Sequence, residues 1–180
     1  MSTDSKKPKL KRALVLTADR FEDMELFFPI FRLLEIGVSV KVAAPSEKVI
    51  AGENGYSIKP DLTFDQVNPE QFNLLIIPGG AKDGAPRTVS QSAKAIEITT
   101  HFMSSNKLVA AICHGLYVLA AANVLKGRKA TGYWEDGVPE AIKKAGGQYE
   151  DAEVIVDGNL ITSRWPMDLP AFMRAIVKTI

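Results

Sequence analysis

The sequence predicts a three-layer α/β/α domain built on a mostly parallel sheet, and three observations carry that expectation. Short apolar runs of strand length alternate with helical spacings along nearly the whole chain, the pattern of repeated βαβ units. Two of the runs, Leu74 to Ile77 (LLII) and Leu108 to Ile112 (LVAAI), are continuously apolar, as central parallel strands covered on both faces must be. Each ends abruptly in residues suited to a tight turn, Pro78-Gly79-Gly80 and Cys113-His114-Gly115.

Taken in order, Ala13 to Thr17 (ALVLT) reads as the first strand. Met24, Phe27, Phe28, Phe31, Leu33 and Leu34 follow at helical spacing over Asp23 to Ile36, and Gly37 supplies the left-handed residue that closes such a helix. Val38 to Ala44 is the next strand and Pro45 ends it. Short strand-like pieces around Gly52 and Gly55 suggest a small hairpin excursion. Beyond LLII, Ser90 to Ser104 reads as one helix, Leu116 to Leu125 as another, and Gly137 to Ala145 as a weaker one closed by Gly146 and Gly147. Asp157-Gly158-Asn159 is a strong hairpin signal between Glu153–Val156 and Leu160–Thr162. The last helix spans about Met167 to Ile180, with Pro170 in its first turn, where a missing N–H is harmless.

The chain has 180 residues, 46% of them apolar and 24% charged, which excludes a disordered chain and supplies a sizeable core. With 22 basic and 21 acidic residues the net charge is +1, so specific nucleic-acid binding is not expected. No apolar run approaches the length of a membrane span, so no membrane partner is expected either. Residues 1–11 read as a basic leader with little to bury, and residues 12–180 as one domain. A single cysteine, Cys113, permits no internal disulfide and suits a reducing cytoplasm. One Cys and two His give no recognisable zinc spacing, so no metal and no cofactor are expected.

In an open α/β sheet, ligands bind outside the carboxyl ends of the strands. Cys113 sits between an apolar strand and a helix, where a nucleophile elbow holds a side chain up at the sheet edge and a helix N-terminus favours a thiolate. The alternative is a buried core thiol. His114 follows directly and is a candidate acid–base or cationic partner. The Gly79-Gly80 turn allows free N–H groups to stabilise an oxyanion. Glu22 and Asp23 are either ordinary first-turn acids or, for Glu22, a protonated donor to the thiolate.

Taken together, LTADRFEDMEL (Leu16 to Leu26), LLIIPGG (Leu74 to Gly80), AAICHG (Ala110 to Gly115), LKGRKAT (Leu125 to Thr131) and DGNLITSRWPMDL (Asp157 to Leu169) resemble the PfpI-type intracellular protease family. The resemblance covers about Lys11 to Ile180. It implies a flavodoxin-like sheet of the class I glutamine amidotransferase-like superfamily. It also implies Cys113 as nucleophile, His114 as catalytic histidine, Glu22 as the buried acid on the thiol, and an oxyanion hole from the Gly80 and His114 N–H groups. The activity implied is that of an intracellular cysteine peptidase or hydrolase attacking a carbonyl, on a small carbonyl or peptide substrate. Glutathione-independent glyoxalase or deglycase chemistry on methylglyoxal-type adducts is the alternative, and a redox or stress sensor using an oxidisable cysteine is a third. Homo-oligomers, dimeric or larger, are implied as well. In peptidase-like members a neighbouring subunit's acid, shortly after PGG and following a proline, completes a triad. Here Pro86 is followed by Arg87, which leaves Asp83 as the candidate third acid and Lys82 and Arg87 as possible attractors of an anion. Leu116 stands where many relatives carry proline after CHG.

Overall fold

The computed structural model describes residues 11–180; the leader expected over residues 1–11 falls, apart from Lys11, outside them. Among the described residues, β1 (Arg12–Leu16), β2 (Ser39–Ala44), β5 (Leu62–Thr63), β6 (Leu74–Ile77), β7 (Leu108–Ile112), β10 (Val154–Asp157) and β11 (Leu160–Ser163) form one seven-stranded sheet. Its order is β10-β11-β7-β6-β1-β2-β5, every neighbouring pair being parallel except the β10–β11 hairpin. Every residue of β6 and β7 is buried, as their unbroken apolar runs require.

Helix α1 (Asp23–Glu35) packs with α6 (Leu169–Thr179), while α2 (Ala85–Gln91), α3 (Ala93–Ser104), α4 (Leu116–Ala121) and α5 (Val138–Lys144) pack with one another, giving the two outer layers. The parallel strands bring the carboxyl ends of β1, β6, β7 and β11 to one edge of the sheet. The small pairs β3 (Ile50–Ala51) with β4 (Ser57–Ile58) and β8 (Lys129–Ala130) with β9 (Gln148–Tyr149) lie outside the main sheet.

Two differences from the sequence expectation bear on the site. The helix expected from Ser90 to Ser104 is two helices: α2 starts at Ala85, before the polar stretch that masks it, and Ser92 ends α2 and caps α3 through Ala95 N–H. Helix α1 is apolar on two sides. Its buried stripe is Glu25, Leu26, Pro29, Ile30 and Leu33 with Asp23, whereas Met24, Phe28, Phe31 and Leu34 face outward, Phe31 being 63% exposed. The most conspicuous apolar spacing in that segment therefore belongs to the outer face, and an acid lies in phase with the inner one.

Candidate active site

The site grows from the turn after β7. Cys113 adopts φ +59°, a conformation uncommon for a non-glycine residue and characteristic of a strained functional turn. It lifts the thiol off the strand end, as an elbow does. The neighbouring turn after β6 makes room for it. A Cβ on Gly79 would sit 2.6 Å from Glu25 Oε2 and 2.7 Å from Cys113 Cβ, so only glycine fits between the cysteine and the carboxyl. Gly80 has φ +146° and crosses the Arg20–Phe21 backbone too closely for a side chain.

The acid on the thiol is Glu25, not Glu22. Glu22 is the N-cap of α1: its Oε2 accepts the Glu25 N–H at 2.7 Å, and its other oxygen lies 3.4 Å from Asn54 Nδ2. A cap folds its carboxylate back over the helix start, which turns Glu22 away from the sulfur. Glu25, one turn further in, is fully buried. Its Oε2 accepts the Gly79 N–H at 2.7 Å, its Oε1 is buried without a hydrogen-bond partner, and the carboxyl lies close enough to the Cys113 thiol for each to shift the other. Burial, then the nearby Glu22 charge, pushes Glu25 up to about 8, so near neutral pH it is a carboxylic acid able to donate to sulfur.

Burial pushes the Cys113 thiol well above its usual range, with Glu25 the next cause, while the His114 N–H acts in the opposite direction. The helix start does favour the thiolate through the His114 N–H, as expected, but burial of the sulfur acts more strongly against it. While Glu25 is protonated its charge does not oppose ionisation, and the thiolate can form by passing a proton to a partner.

The candidate partner is His114. Its Nδ1 lies 3.5 Å from Cys113 Sγ and 3.0 Å from the Gly80 carbonyl, and its Nε2 lies 3.1 Å from Asp136 Oδ2. With an oxygen acceptor at each ring nitrogen, only the doubly protonated ring donates at both ends. The geometry therefore suits a histidine that receives a proton.

The acid that meets His114 is Asp136, which the sequence reading did not single out. Asp83 instead pairs with Arg20 at 2.9 Å, both side chains being exposed, and this ion pair holds Asp83 away from the histidine within this chain. Lys82 Nζ lies 3.7 Å from Asp136 Oδ1, so the expected anion attractor is shared with the site's own carboxylate. Asp136 and Gly137 both take left-handed φ, +57° and +83°, which curls the loop before α5 back onto His114. Tyr117 stacks beside His114 and donates its hydroxyl to the Asp136 carbonyl. The Asp-Gly pair was the only signal, since Asp and Gly tolerate that backbone, but nothing local announces which residue the loop will reach.

The Gly80 N–H has no protein acceptor among the described residues, and the His114 N–H is directed toward the sulfur. The Gly79 N–H is already occupied by Glu25.

Comparison with known proteins bears on family and fold. The DJ-1/PfpI family model matches residues 11–179. The chain belongs to the DJ-1/PfpI family. It is similar to "Deglycase PH1704" of Pyrococcus horikoshii, at 48% identity over 93% of this chain and 98% of that one. It is also similar to "Deglycase PfpI" of Pyrococcus furiosus, at 47% identity over 93% of this chain and 98% of that one. Among solved structures it resembles a two-domain protein of Anabaena variabilis with DJ-1/ThiJ/PfpI-like and ferritin-like domains. That match has TM-score 0.89 and 33% identity, over 94% of this chain and 49% of the other. The three-layer, mostly parallel architecture expected from the sequence is this family's fold, and the enzyme names of the relatives agree with a hydrolase of PfpI type.

Proposed function

We propose that this DJ-1/PfpI member is a cysteine-dependent hydrolase that releases amines from methylglyoxal-type carbonyl adducts. The observation that carries the reading is the continuous chain Cys113 Sγ, His114, Asp136 within one subunit, at 3.5 and 3.1 Å, with a buried acid on the other side of the sulfur. His114 takes the thiol proton; Asp136 holds the ring; Glu25 donates a hydrogen bond to the thiolate; the Gly80 and His114 N–H groups receive the developing oxyanion. The thiolate displaces the amine from the adduct carbon, forming a C–S bond as the C–N bond breaks, and the amine leaves with the proton held by His114. Proton transfer between the two oxygenated carbons converts the resulting thiohemiacetal to a thioester. Water then cleaves it to lactate and restores the thiol, so no external oxidant or reductant is needed. Peptide hydrolysis would use the same nucleophile, but the relatives' names favour adduct removal.

The test is incubation with methylglyoxal-treated N-acetylarginine, following free amino acid and lactate together. Equimolar release that disappears in Cys113→Ala is expected. Cleavage of peptides without lactate would overturn the reading in favour of a peptidase.

Self-association belongs to the same reading. The outward face of α1 forms, with Met167 and Tyr56, an apolar groove of about 470 Å³, and Met24, Phe31 and Met167 are 51%, 63% and 66% exposed. The one acid lining it, Asp23, is spent on the Asn54 and Tyr56 N–H groups. A face that offers both projecting side chains and a groove can meet its own copy across a two-fold axis. Light scattering should give a dimer or larger, and Phe31→Lys should give a smaller species; a monomeric wild type would contradict this. A lone thiol suits a reducing, cytoplasmic setting, and no helix among the described residues is long and apolar enough to cross a membrane.

A further inference from the structure

An unbroken path of aromatic rings leads outward from the catalytic histidine. The Tyr133 ring lies 4.9 Å from that of His114, Trp134 4.8 Å from Tyr133, and Trp165 5.3 Å from Trp134 in an edge-to-face arrangement. These are the chain's only two tryptophans, and each is more than a third exposed. The site described above uses neither. Their position follows from the sheet: Ser163 is in register with Ile112, so Arg164 and Trp165 leave β11 beside Cys113.

The wall is held in place. Arg164 reaches Asp168 through Nε and a terminal nitrogen at 2.7 and 3.2 Å, and Asp151 at 2.9 Å, locking the turn that carries Trp165. Trp134 precedes Asp136 by two residues on the loop that the histidine contact anchors. Edge-to-face packing leaves an indole face open rather than closing the pair on itself.

Among the described residues, Glu135 is a carboxylate beside the wall that no ion pair engages. Glu135 follows Trp134 directly, and its charge, with that of Asp136, adds to the burial that holds the Tyr133 phenol above its usual range. Glu22 adds a further negative charge close enough to act on the thiol. The nearby cations are engaged: Arg164 by two aspartates, Arg20 by Asp83, and Lys82 by Asp136. Rigid indole faces among carboxylates suit a flat, weakly hydrated cation, which can stack while its N–H groups reach oxygen. They repel phosphate and give no matching surface to a compact ammonium.

We infer that Trp134 and Trp165 form a leaving-group subsite selective for the arginine guanidinium of a peptide, over a lysine ammonium or a nucleotide. This rests on the adduct-hydrolase reading for its purpose, but the binding itself is measurable without turnover. Because both tryptophans lie in the wall, intrinsic tryptophan emission reports on it alone. Titration of the full chain with N-acetylarginine methylamide is expected to perturb the emission with about fivefold tighter binding than N-acetyllysine methylamide, and guanosine monophosphate is expected to bind more weakly than either. Trp134→Leu and Trp165→Leu should each abolish the arginine preference, while the iodoacetamide alkylation rate of Cys113 stays that of the wild type. Equal binding of the two amino acids, no response to any probe, or tighter binding of the nucleotide would overturn the subsite. Arginine preference in a protein that releases no adduct would instead overturn only the hydrolase reading.

Discussion

On one side of Cys113 stand Glu25 and Gly79, buried in a packed layer between α1 and the strand ends; on the other stand His114 and Asp136, with Asp136 on a half-exposed loop. The inner side is fixed by sterics. The only available space is the missing Cβ of Gly79, and the acid is neutral because water is excluded. The outer side is fixed by hydrogen bonds to a loop whose two left-handed residues could relax. Changes on the inner side should therefore alter stability and activity together, and changes on the outer side should alter rate alone.

The largest effect cuts across both. Cys113→Ala should lower turnover by at least about 1000-fold in the adduct assay, with a melting temperature close to the wild type. Gly79→Ala comes next: the added carbon must displace Glu25 or the cysteine, and chemical denaturation should record a loss of about 1–3 kcal/mol together with most of the activity. An active Gly79→Ala protein of normal stability would show that the inner half has slack. Asp136→Asn should reduce kcat by about 10- to 100-fold while KM and thermal stability hardly move; a matching loss of stability would erase the contrast between the halves.

A further effect is one of pH. Glu25 ionises near 8 in the folded chain, against an ordinary value of 4.5. Between those limits the folded state holds a proton that the unfolded state has lost, so stability is full below about pH 4.5 and falls as pH rises through 8. Thermal melts should show a decline across this window worth about 5 kcal/mol. Glu25→Gln should flatten it, matching the wild type near pH 5 and exceeding it near pH 8.5. The same ionisation places a second negative charge beside the thiolate, so kcat/KM should fall above about pH 8 in the wild type, and this limb should move upward in Glu25→Gln.

Much of the inner architecture was legible in the sequence. Continuous apolar runs identified the central strands, and Cys113, His114 and the Gly79-Gly80 turn stand at their ends because parallel strands must align there. The acid was misplaced by one helical turn. Glu22 looked eligible by proximity to the strand end, but as N-cap its carboxylate is spent on the Glu25 N–H. The phase of Glu25 with Pro29 and Leu33 was the available clue, obscured by the louder apolar spacing of the outer face. Asp136 was not legible for a different reason. Its contact with His114 spans 22 residues and depends on a loop conformation, not on any periodicity. Asp83, closer to the glycine turn in sequence, was diverted by Arg20.

The most direct test of the single-subunit arrangement is the iodoacetamide alkylation rate of Cys113 across pH in the wild type, Asp136→Asn and Asp83→Asn. If Asp136 holds His114 ready to take the thiol proton, Asp136→Asn slows alkylation near neutral pH and Asp83→Asn leaves the whole profile unchanged. An unchanged profile for Asp136→Asn, or slowing in Asp83→Asn, would contradict the account.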